Sequence, residues 1–262
     1  MSWALVTGAC SGIGLEMARG LAGRGYSLVL VSNRAAELEA AARKVSSLHG
    51  VTAHAIALDL AQSEAALALY DQVKGLGVEI EVLVSNAGFL LFGEVADADP
   101  ARVNALLQLH VTTPTLLAHY FGRDMRARRS GHLLIVSSAS AWRDFPGVAL
   151  YGSTKRYLRS FASALREEMR PWGVNVTCLA PGAVATGLYG RSTGAAARAA
   201  AMGLMTDPAK VAKAGLRGMF RGKGVVLPGI GAKLMAVAAA ITPRWLIHVA
   251  RMRTSLLSRP QD

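Results

Sequence analysis

Between residues 3 and 7, and again between 27 and 32, the chain is almost uninterruptedly apolar, the pattern of a strand covered on both faces. Over 12–22, between them, apolar positions recur at helical intervals. The alternation then repeats: a helix over 35–47, a strand near 52–58, a helix over 64–75 and a strand near 82–85. Pro100 can open a long helix running towards Arg129, followed by a strand at 132–137, a helix at 149–170 and a strand at 175–180. Strands separated by helices call for right-handed crossovers, which cover a parallel sheet on both faces. The pattern therefore predicts an α/β fold with a doubly wound parallel sheet, one domain over 1–262.

Two stretches depart from this rhythm. Residues 187–222 are rich in Ala, Gly and Met and precede a short strand at 225–227. A substrate lid is expected there, with a helical excursion packed on the core as the alternative. The tail, 229–262, mixes Leu234, Met235, Val237, Ile241, Trp245, Leu246, Ile247 and Val249 with basic residues and Pro243. It reads as packing on the protein itself or on another subunit; peripheral contact with an anionic membrane is the less favoured reading. Pro243 and Arg244 break its apolar run short of the roughly 20 residues that a membrane span needs.

Composition narrows the picture further. In 262 residues, 52% are apolar and 6% aromatic, enough for a sizeable core and low enough in polar tracts to argue against disorder. A formal charge of +12 raises nucleic acid or an anionic surface as partners. No recognition motif or basic-aromatic stripe accompanies it, so the charge is read as solvated faces and helix ends, with no nucleic-acid partner. Cys10 and Cys178 lie far apart with no CxxC or Cys/His spacing, so neither a metal site nor a disulfide framework is expected. The start of the chain enters a strand directly, without the charged and apolar regions of a signal peptide, and a cytoplasmic location is expected.

The turn after the first strand reads Thr7-Gly8-Ala9-Cys10-Ser11-Gly12-Ile13-Gly14. Glycines there let the backbone approach a pyrophosphate, and the following helix offers it unpaired N–H groups. The spacing resembles the TGxxxGxG loop of the short-chain dehydrogenase/reductase family, and further motifs of that family follow in order. These are Asp59 after the third strand, Asn86-Ala87-Gly88 after the fourth, and Pro181-Gly182 followed by Thr186. The resemblance covers residues 1 to about 189 and implies a Rossmann-type fold with a nicotinamide cofactor. The residues it implies for cofactor binding are Gly8, Ser11, Gly12, Ile13, Gly14, Asn33, Arg34, Asp59, Asn86, Ala87, Gly88, Tyr151, Lys155, Pro181, Gly182, Val184 and Thr186. At the end of the second strand, a carboxylate would bond the ribose hydroxyls of NAD and repel a 2′-phosphate. Ser32-Asn33-Arg34 has none, so NADP(H) is the preferred cofactor and NAD(H) the second choice.

Tyr151 and Lys155 lie four residues apart on one helix face, and Ser138 precedes Tyr151 by thirteen residues. This is the family's Ser/Tyr/Lys order. Hydride addition to a carbonyl builds charge on oxygen and then needs a proton, which a tyrosine beside an ammonium can deliver near neutral pH. The resemblance gives Lys155 a second role on the nicotinamide ribose, and gives Ser138, rather than Ser137, the substrate oxygen. Where the family usually has an asparagine supporting a water-mediated proton path, this chain has His110. Two readings stand for it: a proton relay, or a core histidine bonded to backbone.

Phe89, Leu90, Leu91, Phe92, Trp142, Phe145, Leu188, Tyr189, Met202, Leu204 and Met205 are expected around the substrate, pointing to a lipophilic ketone or 3-oxoacyl compound. The resemblance also implies a homodimer or homotetramer built through the helices at 100–129 and 149–170. An altered, non-catalytic cofactor-binding protein, or an epimerase or dehydratase on the same fold, is the alternative.

Overall fold

The structure, a computed structural model, describes residues 2–143, 145–185 and 205–229, together with 233, 241–243 and 245. Its strands are β1 (Trp3–Thr7), β2 (Ser27–Ser32), β3 (Ala53–Ala57), β4 (Ile80–Ser85), β5 (Gly131–Val136), β6 (Val174–Leu179) and β7 (Val225–Val226). They form one sheet in the order β3-β2-β1-β4-β5-β6-β7, every pairing parallel. The continuous apolar character of the strands follows from burial on both faces. In β2, Val29 and Val31 join one core cluster, while Leu28 and Leu30 join the other. β5 divides likewise, Leu133 and Ile135 against Leu134 and Val136.

The helices are α1 (Gly12–Ala22), α2 (Ala35–His49), α3 (Ala65–Gly75), α4 (Pro100–Leu107), α5 (Thr113–Ala127), α6 (Ala149–Met169) and α7 (Pro208–Phe220). α1, α2 and α7 supply buried side chains to one cluster, and α3, α5 and α6 to the other. Chain order reverses its direction across the sheet between β1 and β4, so the loops leaving these two strands diverge and open a crevice at their carboxyl ends.

Two features correct the sequence-based expectation. The long helix expected from Pro100 to Arg129 is interrupted by a π-helical turn, Gln108–Thr112, between α4 and α5. Pro114 accounts for it: proline lacks the N–H that would bond the carbonyl of His110, and its ring crowds that carbonyl, so the helix widens there. In the segment expected as a lid, 187–204 lie outside the described residues, while 208–220 form α7. Asp207 caps this helix by accepting the Ala209 N–H at 2.8 Å, with Pro208 at the first turn. Its glycines lie close against the core. A Cβ at Gly215 would stand 2.9 Å from Leu179, and one at Gly218 2.2 Å from Val226. This part of the segment is thus a layer of the core, the alternative reading, rather than a cover. Of the tail, only 229, 233, 241–243 and 245 are described.

Candidate active site

The loops at the carboxyl ends of β1 and β4 are stitched together by two side chains. Thr7 Oγ1 accepts the N–H groups of Asn86 and Ala87 at 2.9 and 3.0 Å, and Asn86 Nδ2 donates to the carbonyls of Thr7 and Gly8 at 2.9 and 3.3 Å. Between them Gly14 has no room for a side chain: a Cβ there would lie 2.2 Å from the Gly8 carbonyl oxygen. Gly8 and Gly12 adopt left-handed conformations, φ 66° and 55°, that glycine favours. Ser11 precedes α1 in an extended conformation without capping it through its side chain, so nothing from Ser11 occupies the helix N-terminus.

A cleft of about 420 Å³ opens over this loop. Its walls include Gly8, Ser11, Gly12, Ile13, Asn33, Arg34, Asp59, Asn86, Ala87, Gly88, Pro181, Gly182 and Val184, and at its far end His110, Ser138, Tyr151 and Lys155. Sequence positions up to 176 residues apart are therefore gathered into one site. Gly14 lies beneath the wall and serves close packing; Thr186 lies outside the described residues. Cys10, Ser32, Leu58, Leu60, Phe89, Leu109, Val136 and Ser137 also line the cleft, Phe89 being the one of these that had been expected at the site. Most of the others flank a motif residue, and that adjacency was the available signal. Of the side chains expected around the substrate, Leu90, Leu91, Phe92, Trp142, Phe145 and Met205 do not line it. Leu188, Tyr189, Met202 and Leu204 lie outside the described residues.

At the end of β2, Arg34 reaches back to the glycine loop. Its Nη2 donates to Ser11 Oγ at 2.6 Å and approaches Cys10 Sγ at 2.8 Å, while Nη1 pairs with Glu37 at 2.8 Å. A guanidinium is thereby fixed at the rim of the cleft. Asp59 holds its own turn, accepting from Ala61 N and Gln62 Nε2 at 3.1 and 3.3 Å.

Ser137 and Ser138 part company. Ser137 is buried and donates its hydroxyl to the Lys155 carbonyl at 2.6 Å, tying β5 to α6. Ser138 is half-buried, and its Oγ accepts from the N–H and hydroxyl of Ser140 at 3.2 and 3.0 Å. Lys155 is buried, with Nζ donating to the Val136 carbonyl at 3.2 Å and lying 5.6 Å from the centre of the Tyr151 ring. Burial pushes its ammonium down to about 8.

His110 sits on the π turn, fully buried. Its Nε2 accepts the Phe89 N–H at 3.2 Å, which places the ring proton on Nδ1, and Nδ1 donates to Thr154 Oγ1 at 3.0 Å. Thr154 in turn donates to the Tyr151 carbonyl at 2.8 Å. Burial, reinforced by the Lys155 charge, holds the imidazole pKa well below its ordinary value, so the ring is neutral. Gly88 makes room for it: a Cβ at Gly88 would lie 2.6 Å from Nε2.

A glycine cradle, a helix N-terminus and a Tyr-Lys pair in one crevice also mark a known group of proteins. The sequence model of the short chain dehydrogenase family matches residues 2–197. The chain belongs to that family. Oxidoreductase YmfI of Bacillus subtilis, itself uncharacterized, is 36% identical over 195 residues, 72% of this chain and 78% of its own length. A very-long-chain 3-oxoacyl-CoA reductase of Phaeosphaeria nodorum is 32% identical over 193 residues, and the match spans 68% of this chain but only 53% of that protein. Among solved structures, a short-chain dehydrogenase from Sphingobium yanoikuyae in complex with NADPH superposes with a TM-score of 0.81 at 25% identity, covering 100% of this chain and 99% of that one. This short-chain dehydrogenase/reductase is an oxidoreductase acting on alcohol and ketone groups.

Proposed function

We propose that the protein is an NADP(H)-dependent reductase of a lipophilic ketone or 3-oxoacyl compound. The observation that carries this reading is the convergence of Tyr151, Lys155 and Ser138 at one end of a cleft whose other end is the glycine cradle and Arg34. The cradle fits a dinucleotide, since Gly8 and Gly12 turn the loop backbone along the cleft in left-handed conformations and the N-terminus of α1 is left without a side-chain cap, open to a pyrophosphate. Gly8, Ser11, Gly12, Ile13, Asn86, Ala87, Gly88, Pro181, Gly182 and Val184 would hold the cofactor, with Asp59 near its adenine. Asn33 and Arg34, beside a strand end without a carboxylate, favour a 2′-phosphate. When bound, the cofactor supplies the hydride to the substrate carbon.

The chain's own residues do the rest. Tyr151 donates the proton to the carbonyl oxygen, and the Lys155 ammonium stabilises the phenolate left behind. The Ser138 hydroxyl orients the same oxygen. Ser137 and the Val136 carbonyl hold Lys155 in place. His110, with both nitrogens committed and its proton on the side of Thr154, serves as a positioning residue rather than a relay. It bolts the loop carrying Phe89 to the helix carrying Tyr151. A lipophilic substrate is supported by Phe89 and Leu109, which line the same cleft as Tyr151, and by the similarity to a very-long-chain 3-oxoacyl-CoA reductase.

A panel of ketones, 3-oxoacyl thioesters and steroids, followed by NADPH absorbance, tests the activity. Tyr151→Phe should lose on the order of a hundredfold or more in kcat and still bind NADPH; a fully active variant sinks the catalytic assignment. A higher kcat/KM with NADH than with NADPH would refute the cofactor assignment.

A further inference from the structure

The positive charge is unevenly placed along the chain. Of 29 Lys and Arg, 13 fall in residues 169–262 against two acids, Asp207 and Asp262, so that this last part carries +11 of the formal +12. From 208 to 261 there is no carboxylate. On α7, Lys210, Lys213, Arg217 and Arg221, the last at its C-cap, are spaced by three, four and four residues, and all four are exposed along one stripe. The opposite face, including Val211, Leu216 and Met219, is buried against the core.

Arg24 extends the stripe, lying over the Phe220 ring of α7 at 5.4 Å from its centre. No salt bridge joins any of these five cations to a carboxylate among the described residues. The acid nearest in sequence, Asp207, is committed to capping the helix. In the same acid-free stretch, Ile241 and Trp245 stand 74% and 65% exposed on either side of Pro243 and Arg244.

We propose that α7 presents a docking surface for an anionic lipid bilayer, with Lys210, Lys213, Arg217 and Arg221 meeting headgroup phosphates, and that Ile241 and Trp245, exposed in the same acid-free stretch, enter the bilayer interface. Uncompensated like charges repel one another, and an anionic surface relieves that repulsion. A second copy of the chain does not, because a twofold contact through this face sets the stripe against itself. Exposed Trp and Ile beside arginine match the chemistry of the headgroup boundary, where an aromatic ring finds both an apolar and a wet side. The surface lies outside the cleft, and the inference does not depend on the proposed substrate.

Flotation of the full-length protein with vesicles of phosphatidylcholine alone, and of phosphatidylcholine mixed with phosphatidylglycerol, tests it. Binding is expected only to the mixed vesicles and is lost at high salt, as screening requires. Each basic residue at the surface is worth about fivefold in partitioning, so replacing Lys210, Lys213, Arg217 and Arg221 together with Gln should weaken binding on the order of a hundredfold or more. NADPH affinity and thermal midpoint should stay as in the wild type. Ile241→Ser with Trp245→Ser should weaken binding further, and an unchanged affinity would remove their role as anchors. The proposal is overturned by no binding to either vesicle, by equal binding to both, or by a four-Gln variant that floats like wild type. Duplex DNA that strips the protein from the vesicles through the same four residues would overturn it in favour of a nucleic-acid partner.

Discussion

His110 accepts a backbone N–H on one side and donates to Thr154 on the other, and an imidazolium cannot do both. This has a consequence for stability. An unfolded chain protonates its histidine at about 6.5, whereas the folded protein resists protonation well below that. Below 6.5 the unfolded state therefore binds the extra proton, and stability that is complete at neutral pH is lost as the pH falls. Melting midpoints measured from pH 7 to 5 should decline for the wild type and decline less for His110→Gln. His132, whose pKa burial also lowers, retains a share of the slope. Lys155 sets the opposite limb for activity. Its ammonium, which burial brings down to about 8, is the charge that the proposed mechanism needs. In stopped-flow or steady-state measurements, kcat/KM for NADPH, which reports the free enzyme, should fall as the pH rises through about 8. A flat profile to pH 9.5 would show that the lysine does not titrate there.

At the scale of elements, the site depends on how closely they approach. Gly14 lets α1 begin against the loop leaving β1, and a Cβ would meet the backbone oxygen of Gly8, which has no rotamer to yield. Gly14→Ala should thus cost NADPH affinity more than tenfold by calorimetry, and a variant with wild-type affinity would separate the cradle from cofactor binding. Gly218 is different, because its Cβ would meet the Val226 side chain at the edge of the sheet rather than backbone, and neither residue lines the cleft. Gly218→Ala should lower stability by about 1–3 kcal/mol in denaturant titration, as overpacking does, with NADPH affinity kept. These elements were unequally legible in sequence. β1, α1 and β2 have the boundaries that their patterns predict, whereas α7 is legible only as part of a stretch read as a lid or a helical excursion, although Asp207-Pro208-Ala209 repeats the start signal of Asp99-Pro100-Ala101. An Ala- and Gly-rich face has little apolar contrast, and its periodicity is weak even where packing makes it a buried face. The π turn was legible only through Pro114, a single residue inside a long helical pattern.

Across the whole molecule, α4, α5 and α6 leave an apolar and aromatic side uncovered. Leu107 is 40% exposed, and Tyr157, 37% exposed, stacks on Phe161 and shares a hydrogen bond with Thr115 at 2.8 Å. This is the side through which a homodimer or homotetramer is proposed. Leu107→Asp combined with Tyr157→Asp should reduce the mass seen by sedimentation to that of the monomer, with NADPH still bound. An unchanged mass would place the contact elsewhere.

The sequence by itself determined the parallel sheet, because strands buried on both faces must be apolar throughout and their spacing leaves no turn short enough for a hairpin. It also set glycine at fixed positions in the turn after β1, where a backbone that is to touch phosphate needs it. Tertiary structure alone decided what neighbours do. Ser137 and Ser138 are adjacent and chemically identical, and only the direction of the chain at the end of β5 turns one into a buried bolt on Lys155 and leaves the other half-buried, bonded to Ser140. What His110 bonds to was open in sequence for the same reason: a side chain's chemistry is local, but the partners that fix its proton come from the loop after β4 and from α6, 21 and 44 residues away.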